Sequence, residues 1–208
     1  YLAMAEREAD ETLTVAFNRS GEGDAVDAKS VELTLTAIPP QPAAAVDVAD
    51  LNPGVWREVF AGAWRALPDF DAIEPGQWGV SAAINLDDVP DLTDNFGVTF
   101  EGYLQVPETG LYTFYTTSDD GSQLFLDEEL IVTNDGLHGA VETGGMVRLE
   151  AGLHAIRVTY FEAAGDQVLS VSYEGPGLDK QAIAPEALFT RRGLNAVPAE
   201  DADAAAAE

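Results

Sequence analysis

The chain contains no cysteine, so neither a disulfide framework nor a thiolate metal site is open to it. Long apolar runs are missing as well. No stretch approaches the roughly 20 residues that a helix needs to cross a bilayer, and no basic segment followed by an apolar one opens the chain. Positive charge is scarce: 10 Lys and Arg face 37 Asp and Glu, a formal charge of −27, and only Lys29 and Lys180 are lysines. A field of that sign repels polyanions at every approach, so neither nucleic acid nor an anionic membrane surface is expected as a partner. The excess acid reads either as solubility in a salty or calcium-rich exterior or as carboxylates gathered into divalent-cation sites. Also absent are a Gly-x-Ser-x-Gly elbow, a zinc motif and a phosphate-cradling glycine loop. Catalysis is therefore not expected.

What is present is a succession of short strands. With 208 residues the chain can hold one large β domain, or one domain and a fragment. It begins at Tyr1 and ends in an acidic alanine run, 201–208, and on that account is read as a piece of something longer. Residues 13–17 and 30–38 alternate apolar and polar side chains around a turn-rich segment at 18–24, which predicts a strand pair within residues 1–38. A lone hairpin is marginal in water, so this pair needs a neighbour to pack on, and its open edge offers a route to self-association. The proline- and alanine-rich stretch that follows predicts a semi-rigid linker over 39–50. From Val55 to Phe189 apolar runs recur between Gly, Pro, Asp and Asn breaks, at 98–106, 110–117, 122–126, 129–133, 144–149, 152–161 and 168–173. That spacing requires an all-β antiparallel sandwich or barrel over about residues 51–192. Trp56, Phe60 and Trp64 recur every fourth residue, which fits one face of a short helix or a loop with its aromatics tucked into the core. The tail 193–208 lacks bulky apolar residues and reads as a linker.

Several residues within this frame form a recognisable order. The runs Gly110–Asp127, Asn134–Gly139, Leu149–Glu162 and Tyr173–Gly177 resemble, in sequence order and spacing, the PA14 domain family. Residues 10–38 more weakly resemble the closing strands of a malectin-like domain. The PA14 resemblance implies a β-sandwich found in adhesins, toxins, glycosidases and modular surface proteins. In adhesin-type members, two adjacent aspartates joined by a cis peptide hold a calcium ion that also ligates sugar hydroxyls. Here that pair is Asp119 and Asp120.

The resemblance further implies that the side chain of Glu162 and the carbonyls near Ala164 and Asp166 complete the calcium sphere, with Glu162 standing where yeast lectins carry asparagine. The chemistry is reasonable on its own terms, because calcium accepts about six to eight oxygen ligands in irregular geometry. Asp119 and Asp120 precede Gly121 at a strand end, where the chain turns. Asn134 and Asp135 either approach the same end as ligand-binding residues or form only an Asn-Asp-Gly turn. His138 and His154 read as packing or hydrogen-bonding residues, and Asp127 and Glu128 as solvated carboxylates of a hairpin turn. Together these features predict an extracellular or cell-surface, calcium-dependent glycan-binding module, with a structural spacer or assembly subunit as the alternative.

Overall fold

A computed structural model describes the strand residues 11–17 and 29–35, and residues 42–89 and 93–193. Contacts divide the chain into two units, residues 1–41 and 42–208. In the first, β1 (Glu11–Phe17) pairs antiparallel with β2 (Lys29–Leu35), placing Leu13 opposite Leu33 and Val15 opposite Val31. The expected intervening turn and the extension of the second strand to Ile38 lie outside the described residues.

The second unit is the all-β antiparallel sandwich that the spacing of apolar runs predicts. It opens with β3 (Asn52–Pro53), β4 (Val55–Ala61), β5 (Gln77–Ser81) and β6 (Phe96–Val106). Next come β7 (Gly110–Asp119), β8 (Ser122–Leu126), β9 (Glu129–Asn134) and β10 (Val141–Leu149). The unit closes with β11 (Gly152–Glu162), β12 (Val168–Gly175), β13 (Leu178–Ala182) and β14 (Leu188–Thr190). One sheet runs β10-β7-β12-β13; the other runs β3-β14-β6-β11-β8-β9, with β4 paired to β6 and β5 to β4.

Alternation decides which residues face inward. On β7, Tyr112, Phe114, Thr116 and Ser118 are buried; on β8, Ser122, Leu124 and Leu126 are. Between the sheets Tyr112, Phe114 and Tyr173 stack with centroids 5.8 to 6.4 Å apart. Each such ring contributes about 1.5–3 kcal/mol by leaving water. The first half of β6, Phe96–Phe100, is buried on both faces, because residues after β4 fold over its outer side. There Phe70 packs on Phe60 at 4.8 Å and on Trp64 at 5.7 Å.

This cover corrects the helix reading of Trp56, Phe60 and Trp64. An even spacing also puts residues on one face of a strand. Trp56 and Phe60 lie on β4, opposite the core-facing Val55 and Val59, and Trp64 falls in the loop beyond. Part of the expected linker is tied to the sandwich as well. Ala43 N donates to Arg148 O at 2.8 Å, Glu150 N to Ala43 O at 2.9 Å, and Val46 N to Leu153 O at 2.8 Å. Gly152 is required there: its φ is +140°, and a Cβ would lie 2.4 Å from that of Ala45.

The two sheets meet at the turn from β7 into β8. Asp119 ends a strand of the smaller sheet, and three residues later Ser122 starts a strand of the larger one. This crossing, residues 119–121, is where the site forms.

Candidate functional site

Strand β7 delivers Asp119, and a cis peptide bond joins it to Asp120. Strand β11 delivers Glu162 at its last position, next to the crossing, where Phe161 N donates to Gly121 O at 3.0 Å. The three carboxylates each present an oxygen within 4.8 Å of the others. Gly121 allows the neighbouring loop to close in, since a Cβ there would meet the Phe161 ring at 2.5 Å and Asp135 Oδ1 at 3.0 Å.

Asp120 is 6% exposed and firmly held. Its Oδ1 accepts from His138 N at 3.0 Å and its Oδ2 from Ala163 N at 2.9 Å, while its own N–H donates to Glu162 Oε2 at 3.1 Å. The Tyr160 hydroxyl lies 2.5 Å from Asp119 O and 3.1 Å from Glu162 Oε2, so its single proton serves these two acceptors. Glu162 is fully buried, and its Oε1 has no hydrogen-bond partner.

A buried carboxylate oxygen without a donor, beside two more carboxylates, has two ways to be satisfied: it takes a proton or it faces a cation. Burial first, and then the charges of Asp120 and Asp119, push the Glu162 carboxyl up to about 7, against the lowering effect of the hydrogen bond from Tyr160. Burial and the Glu162 charge likewise raise the Tyr160 phenol well above its ordinary value, so the phenol remains a donor. Each Asp120 oxygen keeps a second lone pair after accepting its backbone N–H. The donor set is all oxygen, which fits a hard cation such as calcium rather than a soft one.

His138 stands behind this set. Its Nδ1 is 2.9 Å from Gly139 O and its Nε2 is 3.0 Å from Asn134 O, two acceptors that a doubly protonated ring satisfies together. Burial lowers its pKa, but those carbonyls and the carboxylates of Asp120 and Asp119 outweigh it and leave the pKa raised.

The structure thus brings Asp119, Asp120 and Glu162 together, and the carboxylates of Asp135 and Asp166 are not part of that cluster. Asn134, expected either to bind ligand or only to form a turn, has a buried side chain held in a hydrogen-bond network. Its Nδ2 donates to Ser118 Oγ at 3.0 Å and to Val141 O at 2.9 Å, and its Oδ1 accepts from Thr143 Oγ1 at 3.0 Å, which uses both amide hydrogens and one lone pair of the oxygen. Asp135 is exposed and ties two loops, its Oδ1 accepting from Leu67 N at 2.8 Å and Gly136 N at 2.7 Å. Ala164 and Asp166 are exposed on the loop after β11, and the Asp166 carboxylate is not one of the three clustered groups.

That loop is anchored by residues that sequence reasoning missed. Gly165 N donates to Asp94 Oδ1 at 3.2 Å, Asn95 N to Ala163 O at 3.2 Å, and Gln167 Nε2 to Thr93 O at 2.7 Å. Asp127, expected to be solvated, instead accepts from Ala155 N at 2.9 Å and sits 2.6 Å from Nδ1 of the fully buried His154, whose Nε2 is 2.9 Å from Glu150 O. The positive φ of Asp127 and Glu128, 48° and 71°, is that of a tight two-residue hairpin turn, which aims the carboxylate back at β11.

Comparison with known proteins follows the same lines. Anti-sigma-I factor RsgI3 of Acetivibrio thermocellus is 26% identical over 116 residues, a stretch that is 55% of this chain and 18% of that protein. The PA14 domain of the MpAFP antifreeze protein superposes with a TM-score of 0.59 at 20% identity, covering 72% of this chain and 96% of that one. A PA14 sugar-binding domain from an RTX adhesin superposes with a TM-score of 0.57 at 18% identity, covering 66% and 98%. These structures share the fold, and the family model described as PA14 domain matches residues 51–187. With the sandwich and that match over most of its length, the chain belongs to the PA14 domain family.

Proposed function

We propose that the sandwich is a calcium-dependent carbohydrate-binding module that works outside the cell or at its surface. The observation that carries this reading is the convergence of Asp119, Asp120 and the buried, unpartnered Glu162 Oε1 on one small volume at the crossing between the sheets. Bound calcium would supply neutralising charge and open coordination positions for a vicinal diol of a sugar. The chain's own residues supply the rest: Asp120 is fixed in place by His138 N and Ala163 N, and Glu162 by Asp120 N and Tyr160. In this reading the carbonyls of Ala164 and Asp166 complete the sphere. In the same reading Leu137 and Asp135 of the neighbouring loop, both exposed, would touch the sugar.

The solved domain described as sugar-binding, from an RTX adhesin, supports the ligand class. The charge of −27 argues against nucleic acid or anionic lipid in its place. Among the described residues no helix is long and apolar enough to cross a membrane. The test is calorimetric titration of calcium into metal-free protein, followed by a glycan array with and without calcium. Calcium-dependent hits that Asp120→Asn abolishes are expected. Calcium binding without any hits would turn the reading to a structural role, and no calcium binding would overturn it.

A further inference from the structure

A second concavity, of about 610 Å3, lies on the outer face of the larger sheet, and none of its lining residues belongs to the cation site. Its floor comes from the outward-facing positions of three adjacent strands. The β-ladder places Glu101, Arg157 and Phe125 in one row across β6, β11 and β8, Tyr103 beside Ala155 in the next row, and Thr159 beside Gln123 on the other side. Ala155, having the smallest side chain of the set, leaves the depression between the rings of Tyr103 and Phe125. Two strand spacings and two residues of rise put the Cα atoms of those aromatics on the order of 12 Å apart, comparable with the length of a disaccharide. A concavity of this size falls in the range of small-ligand sites.

One polar group in this groove lacks a partner. Thr159 is 6% exposed, and its Oγ1 makes no hydrogen bond. Arg157 is held bidentately by Asp71, with Nη1 to Oδ2 at 3.0 Å and Nη2 to Oδ1 at 2.6 Å, and its Nε faces Glu101 Oε1 at 3.4 Å. A buried hydroxyl left unsatisfied is costly unless a ligand completes it. The charge balance narrows the ligand. On a chain of charge −27, the groove sets Arg157, Arg191 and Arg192 against Asp69, Asp71, Glu101 and Glu128, close to neutrality. Arg157 is already paired with Asp71 and Glu101, and Arg192 lies over the Trp56 ring at 4.6 Å and 3.7 Å from Glu58 Oε1. Neither a polyanion nor a polycation is favoured by such a surface. Fixed donors and acceptors around two aromatic faces suit a molecule with apolar C–H faces and hydroxyl edges.

We infer that this groove is a second, cation-independent binding site for a neutral, unbranched oligosaccharide, with Tyr103 and Phe125 stacking on sugar faces and Thr159, Gln123 and Arg157 bonding hydroxyls. The inference does not depend on the calcium site. Cellohexaose, xylohexaose and mannohexaose titrated into the full chain in excess EDTA test it, with Asp120→Asn as a second way to remove the cation site. Binding of at least one of them is expected to persist in EDTA and in Asp120→Asn, and to weaken about tenfold in Tyr103→Ala or Phe125→Ala.

Thr159→Val separates ligand contact from folding. Replacing an unpaired hydroxyl by a methyl should leave the melting temperature unchanged or raised while weakening binding. No EDTA-resistant binding to any of the three sugars would overturn the inference, as would binding that survives all three groove variants. It would equally be overturned if Phe125→Ala abolished only a concentration-dependent self-association seen by sedimentation. Failure of the calcium reading would show instead as indifference of the glycan array to EDTA, so the two failures are distinguishable.

Discussion

Glu162→Gln isolates the electrostatics of the cation site. In the metal-free protein the Glu162 carboxyl titrates at about 7, against about 4.5 for an ordinary glutamate. Between those values the folded state holds a proton that the unfolded state has released, so stability falls as pH rises through that window and the loss is complete above pH 7. Taken whole, the shift corresponds to a ceiling of about 3 kcal/mol at about 1.4 kcal/mol per unit. Water entering through the loops screens part of it, and about 1–2 kcal/mol is a fair expectation.

A glutamine keeps an oxygen to accept from Asp120 N and turns an amide donor toward the two aspartates, which relieves the repulsion. At pH 8 in EDTA the variant should therefore melt about 3–6 °C higher than the parent. At pH 4, where Glu162 is protonated in both states, the two should coincide. The same variant should bind calcium at least tenfold more weakly, because one anionic ligand is gone, and the parent's calcium affinity should fall as pH drops below 7. Differential scanning calorimetry and calcium titration at the two pH values check this. A pH 8 melting temperature that is unchanged or lower, or calcium affinity equal to the parent's, would refute the reasoning.

Asn134→Ala deletes three hydrogen bonds in a buried network and should cost about 2–3 kcal/mol in urea unfolding; a cost below about 0.5 kcal/mol would mean that the amide is not structural. Burial lowers the His154 pKa, but the Asp127 carboxylate and the Glu150 carbonyl outweigh it and leave it raised. Its contribution to stability is therefore full below pH 6.5 and fades as pH rises through the raised value. Asp127→Asn should flatten that decline in melting temperature between pH 6.5 and 9, and an unchanged slope would contradict the pairing. Gly145→Ala places a Cβ 1.8 Å from Ile131 O and should destabilise the fold by about 1–3 kcal/mol. Gly139→Ala meets nothing nearer than 3.9 Å and should change stability by less than about 0.5 kcal/mol, by the same unfolding assay.

Most of the longer strands were legible in the sequence because each has one face on the core, and period-2 alternation records that. The run 122–126 is reproduced residue for residue as β8, and 110–117 falls within β7. Two outer strands were not legible, for the converse reason. Strand β13, Leu178–Ala182, carries Asp179, Lys180 and Gln181 with almost no burial, and β5 pairs with β4 alone. Neither leaves an apolar signature. At the site, Asp119, Asp120 and Glu162 could be named from the family pattern, but the role of Asn134 could not. An Asn-Asp-Gly string signals a turn equally well whether its first side chain points outward or inward. Only the alternation on β9, which places Asn134 in register with the buried Ser122, decides that it points inward. Asp127 was misread for a similar reason: a turn carboxylate is solvated by default, and the buried His154 that claims it lies 27 residues away.

The position of the cation site in the topology bears on what calcium would do beyond neutralising charge. Asp119 closes a strand of the smaller sheet and Glu162 closes one of the larger, so an ion shared between them links the two sheets across one end of the core. Separating the sheets would break that link, and binding energy at this point is therefore stability of the whole sandwich. An ion present at a hundred times its dissociation constant would add about 2.7 kcal/mol. The groove on the outer face draws its strand residues from the larger sheet alone, so a ligand there places no such constraint on how the sheets pack. Calcium should accordingly raise the melting temperature with little effect on groove affinity, and calorimetric titration of the bound hexasaccharide with and without calcium measures that independence directly. A groove affinity that tracked calcium would mean that the larger sheet changes shape when its end is cross-linked to the smaller one.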